Sequence, residues 1–246
     1  MPKVEPFEKY VDRYEEWFVR NRFAYESELQ ALRLMLPEGG AGIEIGVGTG
    51  RFAAPLGIKL GVEPSRAMRQ IAQRRRGIEV IAGVAEALPF KDAQFDFALM
   101  VTTICFLDSV ETSCREAYRV LKPGGSIIIG FVDRDSPLGM TYQEHKNENV
   151  FYREANFYSV GEVISYLKKA GFREFTFTQT IYQDLGKIKA MEPVKGGYGE
   201  GSFSVFAVRP AAVQVPAHFT IREMLGTIVL TRFGGMEDAV NFDCRL

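Results

Sequence analysis

The chain has 246 residues, 46% of them hydrophobic, and 30 Lys and Arg against 31 Asp and Glu leave a formal net charge of −1. That balance gives no electrostatic footprint for a phosphate backbone, so nucleic acid is not an expected partner. No apolar run reaches about 18 residues and Met1–Tyr10 is charged, which argues against a membrane span and a signal peptide.

Cys105, Cys114 and Cys244 are odd in number and lack metal-ligand spacing, so no metal site is expected and a reduced, cytoplasmic setting is the simplest reading. Residues 1–36 read as a helical cap. Tyr10, Tyr14, Trp17 and Phe18 recur at i, i+4, i+7 and i+8, one face of a helix from about Pro6. Such a stripe packs on the domain below, closes over a ligand, or does both. Ser27–Leu36 reads as a second amphipathic helix, stopped by Pro37 and Gly39-Gly40.

The main domain, 37–210, begins with a short buried strand, Ile43–Val47, that runs into the glycines Gly46, Gly48 and Gly50. Glycine tolerates positive φ and lets a ligand lie against the backbone, and the helix start beyond offers unpaired N–H groups. A dinucleotide fingerprint, G-x-G-x-x-G, would put its third glycine at position 51, where Arg51 stands. Ile58–Val62 is a second strand, and Glu63 lies at its carboxyl end, where nucleoside-binding α/β folds hold a ribose hydroxyl pair. Pro64-Ser65 starts the next helix, which carries Met68 and ends at Arg74-Arg75-Arg76, a basic run suited to a helix C-terminus.

A third strand, Ile78–Ala82, precedes Gly83-Val84-Ala85-Glu86-Ala87-Leu88-Pro89-Phe90. Phe95–Thr102 is apolar almost throughout, as a central parallel strand is, so Val101–Phe106 should border the ligand crevice. The helix Glu111–Leu121 stops at Lys122-Pro123-Gly124-Gly125 before the strand Ser126–Val132. Asp133–Tyr158 reads as a long aromatic loop, a candidate substrate cover. Ser159–Ala170 is a helix with a Ser159/Glu162 capping box, and Phe172–Tyr182 and Gly201–Arg209 read as an antiparallel edge pair. Between them Val194–Gly201 is a glycine-rich connection. Residues 211–246 form an extension whose apolar Ile221–Phe233 stretch needs a partner surface, on this domain or in a second copy.

Four ordered segments carry a resemblance. Ile43-Glu44-Ile45-Gly46-Val47-Gly48-Thr49-Gly50, Gly61-Val62-Glu63-Pro64-Ser65, Ala85-Glu86-Ala87-Leu88-Pro89-Phe90 and Arg119-Val120-Leu121-Lys122-Pro123-Gly124-Gly125 resemble class I S-adenosylmethionine-dependent methyltransferases, in particular the menaquinone/ubiquinone-biosynthesis-like branch. The resemblance implies a doubly wound, Rossmann-like, mostly parallel seven-stranded sheet with helices on both faces and an antiparallel edge strand. It also implies S-adenosylmethionine as methyl donor, S-adenosylhomocysteine as product and a small-molecule acceptor. Glu44, Gly46, Val47, Gly48 and Gly50 would hold the methionyl end, and Glu63, with Pro64 and Met68, the ribose. Val84, Ala85 and Glu86 would meet the adenine, and Val101, Thr102 and Phe106 would line the methionyl side. Val84 stands where the branch carries an Asp that receives the adenine amino group, so that contact falls to backbone or to Glu86. A general base is needed only if the acceptor must lose a proton, and Tyr10, Tyr14 and His145 are the candidates. The competing readings are a non-catalytic cofactor-binding member of the fold and a nicotinamide-dependent oxidoreductase.

Overall fold

A computed structural model of the chain describes residues 3–75 and 77–210; the extension at 211–246, with Ile221–Phe233 and Cys244, lies outside the described residues. Helices α1 (Glu5–Lys9), α2 (Val11–Arg20) and α3 (Arg22–Arg33) form the amino-terminal cap. Strands β1 (Gly42–Ile45), β2 (Leu60–Glu63) and β3 (Glu79–Ala82) alternate with α4 (Ala53–Leu56) and α5 (Arg66–Arg74). Then come β4 (Phe95–Val101), α6 (Val110–Val120), β5 (Leu121–Val132), α7 (Pro137–Glu144), α8 (Val160–Lys169) and β6 (Phe172–Thr180). The two-residue β7 (Lys195–Gly196) and β8 (Phe203–Pro210) complete the sheet.

One sheet orders these strands β3-β2-β1-β4-β5-β8-β6-β7. Pairing is parallel from β3 to β5 and antiparallel through β8, β6 and β7. The strand order reverses between β1 and β4, so a crevice opens at their carboxyl ends. The expected fold is present, with one strand more than the seven anticipated: Lys195 and Gly196, read as connection, pair with Gln179 and Thr178.

Strand alternation divides the core between the two faces. Ile43, Ile45, Ala98, Met100, Ile127 and Ile129 face α6 and α8. Phe97, Leu99, Val101 and Ile128 face the other side, with Leu32 of α3 and Ala72 of α5. Glu44, between Ile43 and Ile45, therefore falls on the α3/α4 face.

Three local readings change. The cap breaks twice: at Tyr10, and again at Asn21, whose Nδ2 and backbone N–H both donate to the Trp17 carbonyl and end α2. Arg22, not Ser27, thus starts the next helix. The Lys122–Gly125 stop lies within β5, where the pairing register with β4 shifts between Phe95 and Phe97 and Gly124 takes φ 80°. The Asp133–Tyr158 cover holds α7 and two 3-10 turns, Lys146–Glu148 and Tyr152–Glu154, because Ser136 caps α7 by accepting from the Gly139 N–H at 3.1 Å. Among the described residues no helix is long and apolar enough to cross a membrane.

Candidate functional site

The turn after β1 needs its glycines for two reasons. Gly46, Gly48 and Gly50 take φ of 73°, 54° and 79°, a region that side chains disfavour. A Cβ on Gly46 would lie 2.4 Å from Thr103 side-chain atoms, one on Gly50 2.8 Å from Ile78 Cδ1, and one on Gly48 3.1 Å from the Tyr14 hydroxyl. The turn is pressed against the end of β4 on one side and α2 on the other.

Two buried carboxyls brace it. Glu63 accepts from the Gly48 N–H at 2.9 Å and the Ser65 N–H at 2.8 Å, and burial pushes its pKa up to about 7. Glu44, 1% exposed, accepts from the Ala53 N–H, has one oxygen without a partner, and is raised well above the usual carboxylate range by burial. Both are raised because the site is too dry to solvate a charge.

Thr102, at the end of β4, takes φ 51° and donates its N–H to the Gly130 carbonyl at 2.7 Å. A non-glycine residue in this region is uncommon and here stands at the mouth of the crevice. It also lies where two cavities meet. The smaller, about 100 Å³, is lined by Gly46, Gly48, Glu63, Pro64, Met68, Val84, Ala85, Glu86, Val101, Thr102 and Phe106. The larger, about 420 Å³, lies between the cap and the 133–158 segment and shares Phe7, Tyr14, Thr102 and Phe106 with the first.

The structure thus gathers most of the expected cofactor residues around one space, with three exceptions. Glu44, Val47 and Gly50 line neither cavity. Glu44 accepts from the Ala53 N–H at the start of α4, Val47 is buried beside Gly61, and Gly50 packs on Ile78. Glu86 is at the cavity, yet its carboxylate is engaged by the N–H groups of Asp108 (2.9 Å) and Ser109 (3.2 Å) at the start of α6. Among the three candidate bases only Tyr14 reaches both cavities, and burial raises its pKa, so its phenol stays protonated. Tyr10 is 41% exposed and outside both cavities, as is His145, exposed and paired with Glu148 at 3.2 Å.

Sequence reasoning missed the acids that tie the cap down. Glu15 of α2 accepts from the Thr49 hydroxyl and from Arg51, and pairs with Arg75 at 2.8 Å. Arg75, read as a helix-end charge, therefore joins α2 to the glycine turn, donating also to the Thr49 carbonyl. Glu8 of α1 accepts from the Arg66 N–H and, at 3.2 Å, the Ala67 N–H, capping α5 from another element. Glu28 was also missed. It lies in the larger cavity's wall, 4% exposed, in the stripe Ala24, Glu28, Ala31, Leu32 of α3. An acid at i+4 of an apolar stripe was the available signal.

Known proteins are similar to this chain in sequence and fold. A family model for a methyltransferase domain matches residues 43–129. The crystal structure of an S-adenosylmethionine-dependent methyltransferase from Thermotoga maritima, described as a possible histamine N-methyltransferase, is 54% identical and superposes with a TM-score of 0.82, covering 84% of this chain and 99% of that one. An uncharacterized protein of Methanocaldococcus jannaschii is 50% identical over 197 residues, 80% of this chain and 95% of its own length. A 63-residue stretch is 41% identical with the mitochondrial 2-methoxy-6-polyprenyl-1,4-benzoquinol methylase of Xenopus laevis, over 25% of this chain and 20% of that enzyme. With near-full-length identity of this order, the chain belongs to the class I S-adenosylmethionine-dependent methyltransferases.

Proposed function

We propose that the smaller cavity holds S-adenosylmethionine and the larger a small-molecule acceptor, and that methyl transfer between them is an in-line displacement. The observation that carries the reading is the junction: both cavities open onto Phe7, Tyr14, Thr102 and Phe106.

The residues suit the cofactor. Glu63 keeps lone pairs beyond those taken by Gly48 and Ser65, and a ribose hydroxyl pair can donate to them. Gly46 and Gly48 line the cavity and carry no Cβ, so a ligand can approach their backbone. The partnerless oxygen of Glu44 is a buried acceptor behind the turn, of the sign an ammonium group would stabilise. Val84 and Ala85 offer backbone and apolar surface to the adenine. At about 100 Å³ this space is below the roughly 300–1,000 Å³ usual for ligand sites, so α1 and Tyr14 must give way as the cofactor enters.

The bound sulfonium supplies an electrophilic methyl group whose leaving group is neutral. The protein's share is therefore alignment and dryness. Thr102 and Phe106 form the passage between the cavities, and the Phe7, Tyr14 and Phe151 rings, 5.3–6.3 Å apart, cover it from solvent.

Thermal melting with S-adenosylmethionine, S-adenosylhomocysteine and NADH side by side tests the cofactor. Ligand at about 100 times its dissociation constant adds roughly 2.7 kcal/mol of stability, visible as a shifted melt with both sulfur ligands and not with NADH. Unchanged melts with both sulfur ligands would sink the proposal.

A further inference from the structure

We propose that the acceptor is a small amine with an apolar body, and that Glu28 is the group that binds its nitrogen. This rests on the larger cavity being the acceptor site.

Three observations carry it. First, Glu28 is 4% exposed and contributes to the cavity wall, yet it has no hydrogen bond or ion pair among the described residues. A buried carboxyl without a partner is strongly disfavoured as an anion, so it marks a place where a partner arrives. In the free protein burial alone pushes its pKa up to about 8, which keeps it mostly neutral. Tyr25, Tyr142 and Tyr152 are the titratable groups near it, and none is a cation.

Second, the surrounding wall is aromatic. Tyr142 and Tyr152 lie tilted against each other with centroids 4.7 Å apart, Tyr152 and Phe157 meet edge-on at 5.5 Å, and Trp17 lines the same wall. Ring faces attract a cation, and their bodies solvate an apolar skeleton. Third, the cavity's other charged residues, Arg13, Glu16 and Arg20, are exposed. Water and salt screen them beyond about 8 Å, whereas Glu28 acts in a dry interior, so the buried acid outweighs the two arginines. An anionic acceptor would hold Glu28 in its neutral form and gain no charge pairing, and a neutral alcohol would meet it only through a neutral hydrogen bond.

An ammonium must lose a proton before its nitrogen can act as a nucleophile. Docking of the ammonium releases the Glu28 proton to solvent, and the resulting carboxylate then takes the ammonium proton, giving the neutral acid and the free amine. A carboxyl raised toward the amine range makes the exchange accessible near neutral pH.

The test is calorimetric titration of the full chain, with and without saturating S-adenosylhomocysteine, using 2-phenylethylamine, 2-phenylethanol and 3-phenylpropionate. The amine is expected to bind at least tenfold more tightly than the other two. Glu28→Gln should weaken the amine by about 10- to 100-fold and leave the alcohol and S-adenosylhomocysteine unchanged. Equal binding of amine and alcohol to the unaltered protein, no amine binding at all, or a Glu28→Gln protein that keeps full amine affinity overturns the proposal. Any of these with S-adenosylhomocysteine still bound leaves the methyltransferase reading intact. Loss of S-adenosylhomocysteine binding by the unaltered protein would overturn that reading instead.

Discussion

Gly46 and Gly57 adopt nearly the same backbone, φ 73° and 75°, but in different surroundings. An added Cβ meets Thr103 at 2.4 Å in the first and nothing within 4 Å in the second. Left-handed φ costs a side chain about 1–2 kcal/mol, and forced overpacking adds about 1–3 kcal/mol. Gly57→Ala should therefore lose only the backbone term, while Gly46→Ala loses both and also disturbs S-adenosylhomocysteine binding. Urea unfolding of the two variants checks this. Equal losses would mean that Thr103 moves aside freely and that the turn is not pinned to β4. The glycines were legible from sequence because their constraint is local, a strand end followed by a spacing. The exception within the motif is Glu44, whose position between Ile43 and Ile45 sends it to the α3/α4 face, away from the cavity.

At the scale of elements, the cap is fastened by acids rather than by its aromatic stripe alone. Glu15 links α2 to Thr49, Arg51 and Arg75, and Glu8 links α1 to the first turn of α5. Glu15 is 21% exposed, and arginine partners hold its carboxyl below the usual range against the cost of burial. Hydrogen bonds to charged groups contribute about 1.5–3 kcal/mol each at most, and solvent access discounts that here. Glu15→Ala is expected to raise backbone hydrogen exchange across residues 5–20 by about tenfold or more, while β1, β4 and β5 stay protected. Exchange confined to its wild-type rate in α1 and α2 would show that aromatic packing alone holds the cap.

This division explains what the sequence could disclose. Parallel strands, the glycine turn and Glu63 are set by short-range patterns, so they could be read in order. The larger cavity is assembled from α2, α3 and the 133–158 segment, more than a hundred residues apart, so its aromatics were visible only as a suspected cover. Glu28 looked like any helix acid until α3 was seen to turn its Ala24–Leu32 stripe inward. The three-way contacts of Glu15 had no sequence signal, since Thr49 and Arg51 of the glycine turn and Arg75 beyond α5 lie 34, 36 and 60 residues from it.

For the whole molecule, buried acids decide how stability responds to pH. Burial raises Glu63 to about 7 and Glu28 to about 8 from 4.5, and raises Glu44 well above that value. Each keeps a proton in the folded chain at a pH where the unfolded chain has released it. Folding then binds more protons than unfolding, so stability declines as pH rises from about 4.5 through 7 to 8. Glu15, Glu116 and Glu162 behave oppositely: partners lower them, and the stability they contribute is lost as pH falls below about 4.5. The free protein should therefore melt highest near pH 5 rather than at neutrality. Glu28→Gln removes a group that burial raises to about 8, so its melting temperature should exceed the wild type's at pH 8, with a smaller difference at pH 5. Melting curves at pH 5, 6, 7 and 8 for both proteins decide the matter, and parallel profiles would show that Glu28 is solvated in the free state. The same series with S-adenosylhomocysteine separates Glu63 from Glu28. Ribose hydroxyls donate best to a charged carboxylate, so the ligand's stabilisation should grow as pH passes 7 in both proteins.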